Sequence, residues 1–336
     1  MNPDFIVRST SCVYIGSARE LLPALVGDRR VVVITDANID RLYGDMLPYE
    51  KIMVGRGESM KTLQTVEQIV RRLIALGADR KTFLLAVGGG IVTDVAGLVA
   101  SIYMRGLSFG FISTTLLGQV DASVGGKNGV NIDGYKNMVG CFTQPEFVIC
   151  DPQTLTSLPP REFRAGLAEI VKASIIGDSA MFERLERSSF EELRSDTELL
   201  AAAVRSAVRV KAEIVERDER ESGDRRLLNL GHTLAHAVEK SSREMNHGEA
   251  VALGTALICD AAVKMGLLDS AVRDRVVRLL IRLGFVLASP VPMAKLLKEV
   301  GKDKKSEGAQ IHLIVPREIG RCEVHTLAKE QLGEWF

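Results

Sequence analysis

Apolar residues in the first half of the chain fall in short continuous runs, whereas in the second half they recur every three to four positions. The runs at 31–36, 83–87, 109–114 and 147–151 are rich in β-branched and aromatic residues and do not alternate with polar ones. That pattern predicts strands buried on both faces. Segments 60–76 and 91–104, which separate the first three runs, carry helical periodicity. Strand, helix, strand in this order predicts a parallel sheet covered by helices. The texture changes at Pro159-Pro160. Helices are predicted over 161–175, 180–187, 198–216, 230–239, 249–265, 271–283 and 293–300, with a late hairpin from 311–315 and 322–325 turning through Gly320. The expected fold class is therefore an α/β domain over 1–158 and an all-α domain with a small hairpin over 159–336, with a cleft between them. A length of 336 residues suits two domains.

Charge narrows the partners. With 43 basic and 43 acidic residues the chain is formally neutral, which argues against holding nucleic acid or an anionic membrane by bulk electrostatics. No apolar run approaches the roughly 18 residues of a membrane span, and the N-terminus lacks the basic and apolar regions of a secretory signal. Five scattered cysteines without a CxxC pair read as reduced thiols, so a cytoplasmic protein is expected. Three of the five histidines fall between positions 232 and 247.

Several residues resist a purely structural reading. Gly88-Gly89-Gly90 follows a buried strand and precedes a helix, so its backbone can approach a diphosphate at the helix N-terminus. A tight β-to-α turn explains the same glycines equally well. Asp36 ends a β-branched strand, where an acid can accept ribose hydroxyls, but it precedes the glycines, which is the reverse of the common dinucleotide fingerprint. Asp94 is either a first-turn acid favoured by the helix dipole or a second cofactor contact. Segment 121–131, with Lys127, and the following Lys136-Asn137 read as one long polar loop, with an anion-binding loop favoured over a solvated surface loop. Lys211 shares a helix stripe with Val204, Val208 and Val215. It either snorkels or meets an anion there, together with Arg225 and Asn229. Asn229, His232 and His236 lie on one helix face at i, i+3 and i+7. His247 follows shortly after, and Glu169 lies on a face of small residues. Two histidines and a carboxylate make a plausible catalytic metal set, although spacing does not say which two histidines take part.

Taken in order, these motifs resemble the 3-dehydroquinate synthase family. The pieces are Gly-Gly-Gly-Ile-Val-Thr-Asp94, Tyr-Met-Arg105-Gly, Thr114-Thr115-Leu-Leu, Asp121-Ala-Ser-Val-Gly-Gly-Lys127, Gly-Leu-Ala-Glu169-Ile-Val-Lys172, Asn229-Leu-Gly-His232-Thr and His247-Gly-Glu-Ala-Val. The resemblance implies a homodimer with an NAD-binding α/β domain and a helical metal-binding domain. The metal, zinc or cobalt, would be held by Glu169, His232 and His247, which makes His236 a substrate-facing residue. Contacts to NAD would come from Asp36, Glu58, Lys61, Gly89, Gly90, Asp94, Thr114 and Thr115, with Lys127 and Lys136 close by. The substrate phosphate would be held by Lys127, Asn137, His236 and Lys304, with Arg105 reaching in from the partner subunit. Lys211, Arg225 and Asn229 would clamp a carboxylate, while Asp121, Lys136, Lys172 and Glu221 would surround the reacting hydroxyls.

The implied reaction converts 3-deoxy-D-arabino-heptulosonate 7-phosphate to 3-dehydroquinate and phosphate. It runs through transient oxidation by NAD, phosphate elimination, reduction, ring opening and aldol closure. Neutrality then describes the surface as a whole and not the site, where seven cations would face one small metabolite bearing a phosphate and a carboxylate. Thr93, Tyr135, Ala235 and Ser157 depart from the usual family residues, the first three replacing glycines. The alternatives are another sugar-phosphate cyclase, a metal-dependent polyol dehydrogenase, and a catalytically silent dinucleotide-binding protein.

Overall fold

A strand with no polar face is stable in a soluble chain only when both its faces are covered, and the apolar runs of the first half meet that condition. The computed structural model describes residues 2–301 and 310–336 and divides the chain into two compact units, 1–158 and 159–336. The strands of the first unit are β1 (Phe5–Val7), β2 (Ser11–Ile15), β3 (Val31–Asp36), β4 (Glu50–Val54), β5 (Phe83–Gly88), β6 (Phe109–Ser113), β7 (Lys127–Ile132), β8 (Tyr135–Phe142) and β9 (Phe147–Cys150). Seven of them form one sheet in the order β1-β2-β9-β6-β5-β3-β4. All neighbours are parallel except β1 and β2. The sheet is thus mixed, with an antiparallel edge that the sequence reading did not foresee. β1 and β2 span only three and five residues, which leaves little pattern for a search for continuous apolar runs.

Helices α1 (Ala18–Val26), α2 (Ala37–Tyr43), α3 (Leu63–Ala75) and α4 (Gly90–Ile102) connect the strands. One sheet face packs Val31, Val33, Phe83, Leu85, Ile112 and Ile149 against Ala18, Leu22 and Val26 of α1. Phe83 and Phe147 stack there, their ring centroids 5.5 Å apart. α4 is apolar nearly all round and buried from Val95 to Ala100, as expected of a helix inside a domain.

β7 and β8 pair with each other as a separate antiparallel hairpin, where a long polar loop was expected. Their turn is Asp133-Gly134, with φ of 48° and 79°. Two consecutive positive φ angles are what a two-residue hairpin turn requires, and Asp-Gly is among its strongest signals. In the sequence, the glycines and lysines of this segment point to ligand chemistry and mask that dipeptide.

The second unit contains α5 (Pro160–Gly177), α6 (Ser179–Arg187), α7 (Phe190–Ser195), α8 (Thr197–Arg217), α9 (His232–Ser241), α10 (His247–Lys264), α11 (Ser270–Arg282), α12 (Met293–Gly301) and α13 (Leu332–Trp335). Its hairpin is β10 (Gln310–Glu318) with β11 (Arg321–Ala328). α5 is the central helix, and every residue from Ala165 to Ile176 is buried. Glu169 and Lys172 are among them, so two ionisable groups sit in the middle of the unit, where burial without compensation is expensive. No helix among the described residues is long and apolar enough to cross a membrane.

Candidate active site

Glu169 is placed by how closely three helices approach one another. A Cβ on Gly248, in the first turn of α10, would lie 2.3 Å from the Cα of Ala165 on α5. On Gly254 it would lie 2.1 Å from the carbonyl oxygen of Gly231, the residue before α9. Gly231 itself has φ of 76° and its Cβ would meet Thr255 at 2.5 Å, so both its conformation and its surroundings require glycine. Backbone therefore meets backbone at two points along α10, and one donor from each helix reaches the same spot. An Asn246–Glu249 capping box fixes the start of α10. Arg161 of α5 holds Glu249 through two bonds of 2.9 and 2.7 Å.

Glu169, His232 and His247 are the candidate donors, and their ligand atoms all lie within 4.8 Å of one another. Oε1 of Glu169 is 3.6 Å from Nε2 of His232 and 3.5 Å from Nε2 of His247. Two ligands about 2.0–2.1 Å from a tetrahedral zinc ion stand about 3.4 Å apart, so both separations suit such an ion. Nδ1 of His232 lies 3.1 Å from the Leu230 carbonyl, which turns Nε2 toward the carboxylate. One carboxylate and two imidazoles, largely buried and with coordination positions to spare, fit a catalytic metal.

The electrostatics set the two imidazoles apart. Burial, reinforced by the charge of Lys172, drives His232 down to about 3, so its imidazole is neutral and ready to ligate. Burial also works against charge on His247, but hydrogen bonding to Glu169 and Glu239 outweighs it and the ring rises to about 10. Lys172, one turn along α5, pairs with the other oxygen of Glu169. His236 packs edge-on to His232 at 5.6 Å between ring centroids but contributes nothing to the donor set.

Two further cations of this unit are buried, Lys211 on α8 at 8% exposure and Arg225 at 2%. Asp218, which caps the C-terminus of α8, organises the segment leading to Arg225. Its carboxylate accepts from the backbone amides of Ser222 (3.1 Å), Gly223 (2.7 Å) and Arg225 (3.1 Å). Arg225 donates to the Glu219 carbonyl. Glu221 sits at φ of 63° and accepts from Asn229 Nδ2 at 2.5 Å. Glu221, Arg225 and Asn229 are thus brought together in one folded loop. Lys304 lies outside the described residues.

In the first unit, parallel register sets the C-terminal ends of β3, β5 and β6 side by side, with Thr35 beside Val87 and Gly88 beside Ser113. The chain leaves β3 toward β4 at the sheet edge and leaves β5 toward β6 on the other side. The β3–β5 boundary is therefore a topological switch point, the usual ligand crevice of such sheets. Asp36 and Gly88-Gly89-Gly90 flank it. Asp36 also caps α2, accepting from Asn38 and Ile39 at 2.8 and 3.2 Å. The glycines are needed internally too, since a Cβ on Gly89 would meet Thr115 at 2.8 Å and one on Gly90 would meet Ala122 at 2.7 Å. These contacts account for the glycines as a tight β-to-α turn. Among the described residues no side chain caps the α4 N-terminus. Beside it the buried hydroxyl of Thr114 has no hydrogen-bond partner among the described residues, the kind of atom a bound ligand satisfies.

Lys61 and Asp94 form a buried ion pair at 2.5 Å. Glu58 accepts from Asn131 Nδ2 at 2.7 Å, and Asn131 Oδ1 accepts from the Asn137 amide at 2.9 Å. Asn131 therefore ties Glu58 to Asn137, a linking role not assigned from sequence. Asp121 is half-buried in a π-helical turn over Gly118–Ala122, a distortion common at functional sites. Lys127 and Lys136 are exposed on the hairpin. Arg105 follows Met104 in a pair of positive φ angles, 50° and 71°.

The Thr93 side chain is buried and its hydroxyl donates to the Gly90 carbonyl at 3.1 Å within α4. Tyr135 is exposed beside the hairpin turn and Ala235 is fully buried. Ser157 bonds the Tyr43 hydroxyl at 2.7 Å.

Comparison with known proteins gives concordant matches. The family model for the 3-dehydroquinate synthase N-terminal region matches residues 51–165, and that for its C-terminal region matches 166–306. A 3-dehydroquinate synthase of Dictyoglomus thermophilum is 41% identical over 297 residues, covering 87% of this chain and 84% of its own. Among solved structures, the 2-epi-5-epi-valiolone synthase ValA of Streptomyces hygroscopicus subsp. jinggangensis, with NAD+ and Zn2+ bound, superposes with a TM-score of 0.89 at 29% identity. The match covers 98% of this chain and 97% of ValA. A 2-deoxy-scyllo-inosose synthase complexed with carbaglucose-6-phosphate, NAD+ and Co2+ gives 0.86 at 26%, covering 96% and 95%.

Two outcomes follow from the geometry. Gly248→Ala forces α10 away from α5 and should lower the unfolding free energy by about 1–3 kcal/mol or more in a urea titration. Asp218 is held down at about 2 because its amide partners outweigh the effect of burial. A carboxyl depressed on folding stabilises the fold above its ordinary pKa, near 3.9, and that contribution fades as the pH falls toward 2. Asp218→Asn should therefore be less stable than the parent at pH 7, with the gap closing below about pH 3.

Proposed function

The chain belongs to the 3-dehydroquinate synthase family, and from that premise we propose how its residues divide the work of the reaction. The activity is that of a 3-dehydroquinate synthase, a carbon–oxygen lyase of the shikimate pathway. The observation that carries the division of labour is the buried set Glu169, His232 and His247 with Lys172 paired to it.

Glu169, His232 and His247 would hold a zinc or cobalt ion. Asp36, Glu58, Lys61, Gly89, Gly90, Asp94, Thr114 and Thr115 would hold NAD. When bound, the metal lowers the pKa of a hydroxyl and polarises a carbonyl, while NAD supplies a transient hydride acceptor and donor. Lys172 pairs with the Glu169 carboxylate and compensates its charge in the interior. Lys211, Arg225 and Asn229 bind the substrate carboxylate, and because both cations are buried the pairing is stronger than at a surface. Lys127, Asn137, His236 and Lys304 bind the phosphate, helped by Arg105 from a second copy in a homodimer. Asp121, Lys136 and Glu221 orient the reacting hydroxyls, so that elimination and ring closure begin from aligned geometry. The first unit is then the cofactor domain, and the second carries the metal and most substrate contacts.

The likeness to ValA favours one second reading, a cyclase acting on a sugar phosphate without the carboxylate. Lys211, Arg225 and Asn229, read as the carboxylate clamp, weigh against it, since that substrate carries no carboxylate. Purified protein with zinc, NAD and 3-deoxy-D-arabino-heptulosonate 7-phosphate should release one phosphate per 3-dehydroquinate, with no net NADH. Faster turnover of sedoheptulose 7-phosphate would favour the second reading, and net NADH from a simple polyol would support a dehydrogenase. Arg225→Ala should raise KM for the heptulosonate at least tenfold, as expected when a charged anchor is removed from a buried anion.

A further inference from the structure

We propose that Glu239 is a positioning residue for the metal site, holding the His247 ring so that its Nε2 faces the ion. Glu239 lies seven residues after His232 on α9, two turns along the same face. Its side chain is only 9% exposed, and its Oε1 is 3.4 Å from Nδ1 of His247. Nε2 of the same ring is 3.5 Å from Glu169. The imidazole is therefore bracketed by carboxylates from two different helices, α9 on the Nδ1 side and α5 on the Nε2 side.

The two histidines solve the same problem in different ways. His232 directs Nδ1 at a backbone carbonyl of its own helix entrance, whereas His247 begins α10 and relies on a side chain from α9. With the proton held on Nδ1 by a carboxylate, Nε2 keeps its lone pair for the metal and becomes a more basic ligand. Partners of this kind typically change metal affinity 10–100-fold when removed. Glu239 also accounts for a buried carboxylate that the reaction itself does not use.

This inference rests on the metal-site reading above, and the test separates the two. Metal-free wild type, Glu239→Ala, Glu239→Gln and Glu169→Gln are titrated with zinc against a competing chelator, and their folding is compared by circular dichroism without metal. Glu239→Ala should bind zinc 10–100-fold more weakly with an unchanged apo fold. Glu239→Gln, which keeps an acceptor oxygen but no charge, should lie between it and wild type. Wild-type affinity in Glu239→Ala, with Glu169→Gln strongly weakened, overturns the role of Glu239 alone. Wild-type affinity in both overturns the metal site as well. If Glu239→Ala does not fold, Glu239→Gln decides, and an affinity equal to wild type counts against the proposal.

Discussion

The site of the second unit depends on backbone-to-backbone contact of α5, α9 and α10. Ordinary helix pairs stand 8–10 Å apart, separated by their side chains. Here Gly248 lies against Ala165 and Gly254 against the Gly231 carbonyl, with no room for even a methyl group. Only at that distance can side chains as short as histidine and glutamate from three helices share one ion. The small residues of α10, which look like a poor core, are what bring the functional ones together.

That closeness has an electrostatic consequence. Glu169 and Lys172 are both nearly inaccessible to water, and a buried ion pair seldom recovers its full desolvation cost. Two imidazoles beside the pair, one driven down to about 3 and the other up to about 10, divide the local charge unevenly. A fold selected only for stability would fill this place with leucine. The arrangement makes sense as a preorganised set of donors whose cost was met in folding and need not be met again at each turnover. The Asp218 clasp does comparable work for Arg225, since three amides on one carboxylate fix the loop that carries a buried cation.

Much of this was legible in the sequence, and the losses have physical causes. The strands at 31–36, 83–88, 109–113 and 147–150 were visible because continuous apolar runs have few other uses, and the helices of the second half showed their period plainly. β1, β2 and β4 were missed because strands of three to five residues carry little pattern, and β4 opens on two charged residues. The β7–β8 hairpin was missed because the Asp133-Gly134 turn was outweighed by the glycine and lysine chemistry around it. In the site, residue types gave Glu169 and the histidines, but spacing could not choose between His236 and His247. The choice depends on how α9 and α10 pack, which is tertiary information. Glu239 and Asn131 were passed over for the same reason, as their partners are distant in sequence or ordinary in type.

The central claim is that Glu169, His232 and His247 hold a single catalytic metal, and anomalous diffraction at the zinc edge from crystals of the zinc-loaded protein tests it most directly. The account predicts one strong peak about 2.0–2.2 Å from Nε2 of His232, Nε2 of His247 and a carboxylate oxygen of Glu169. A peak ligated by His236, or the absence of any peak between the three helices in fully active protein, would contradict it.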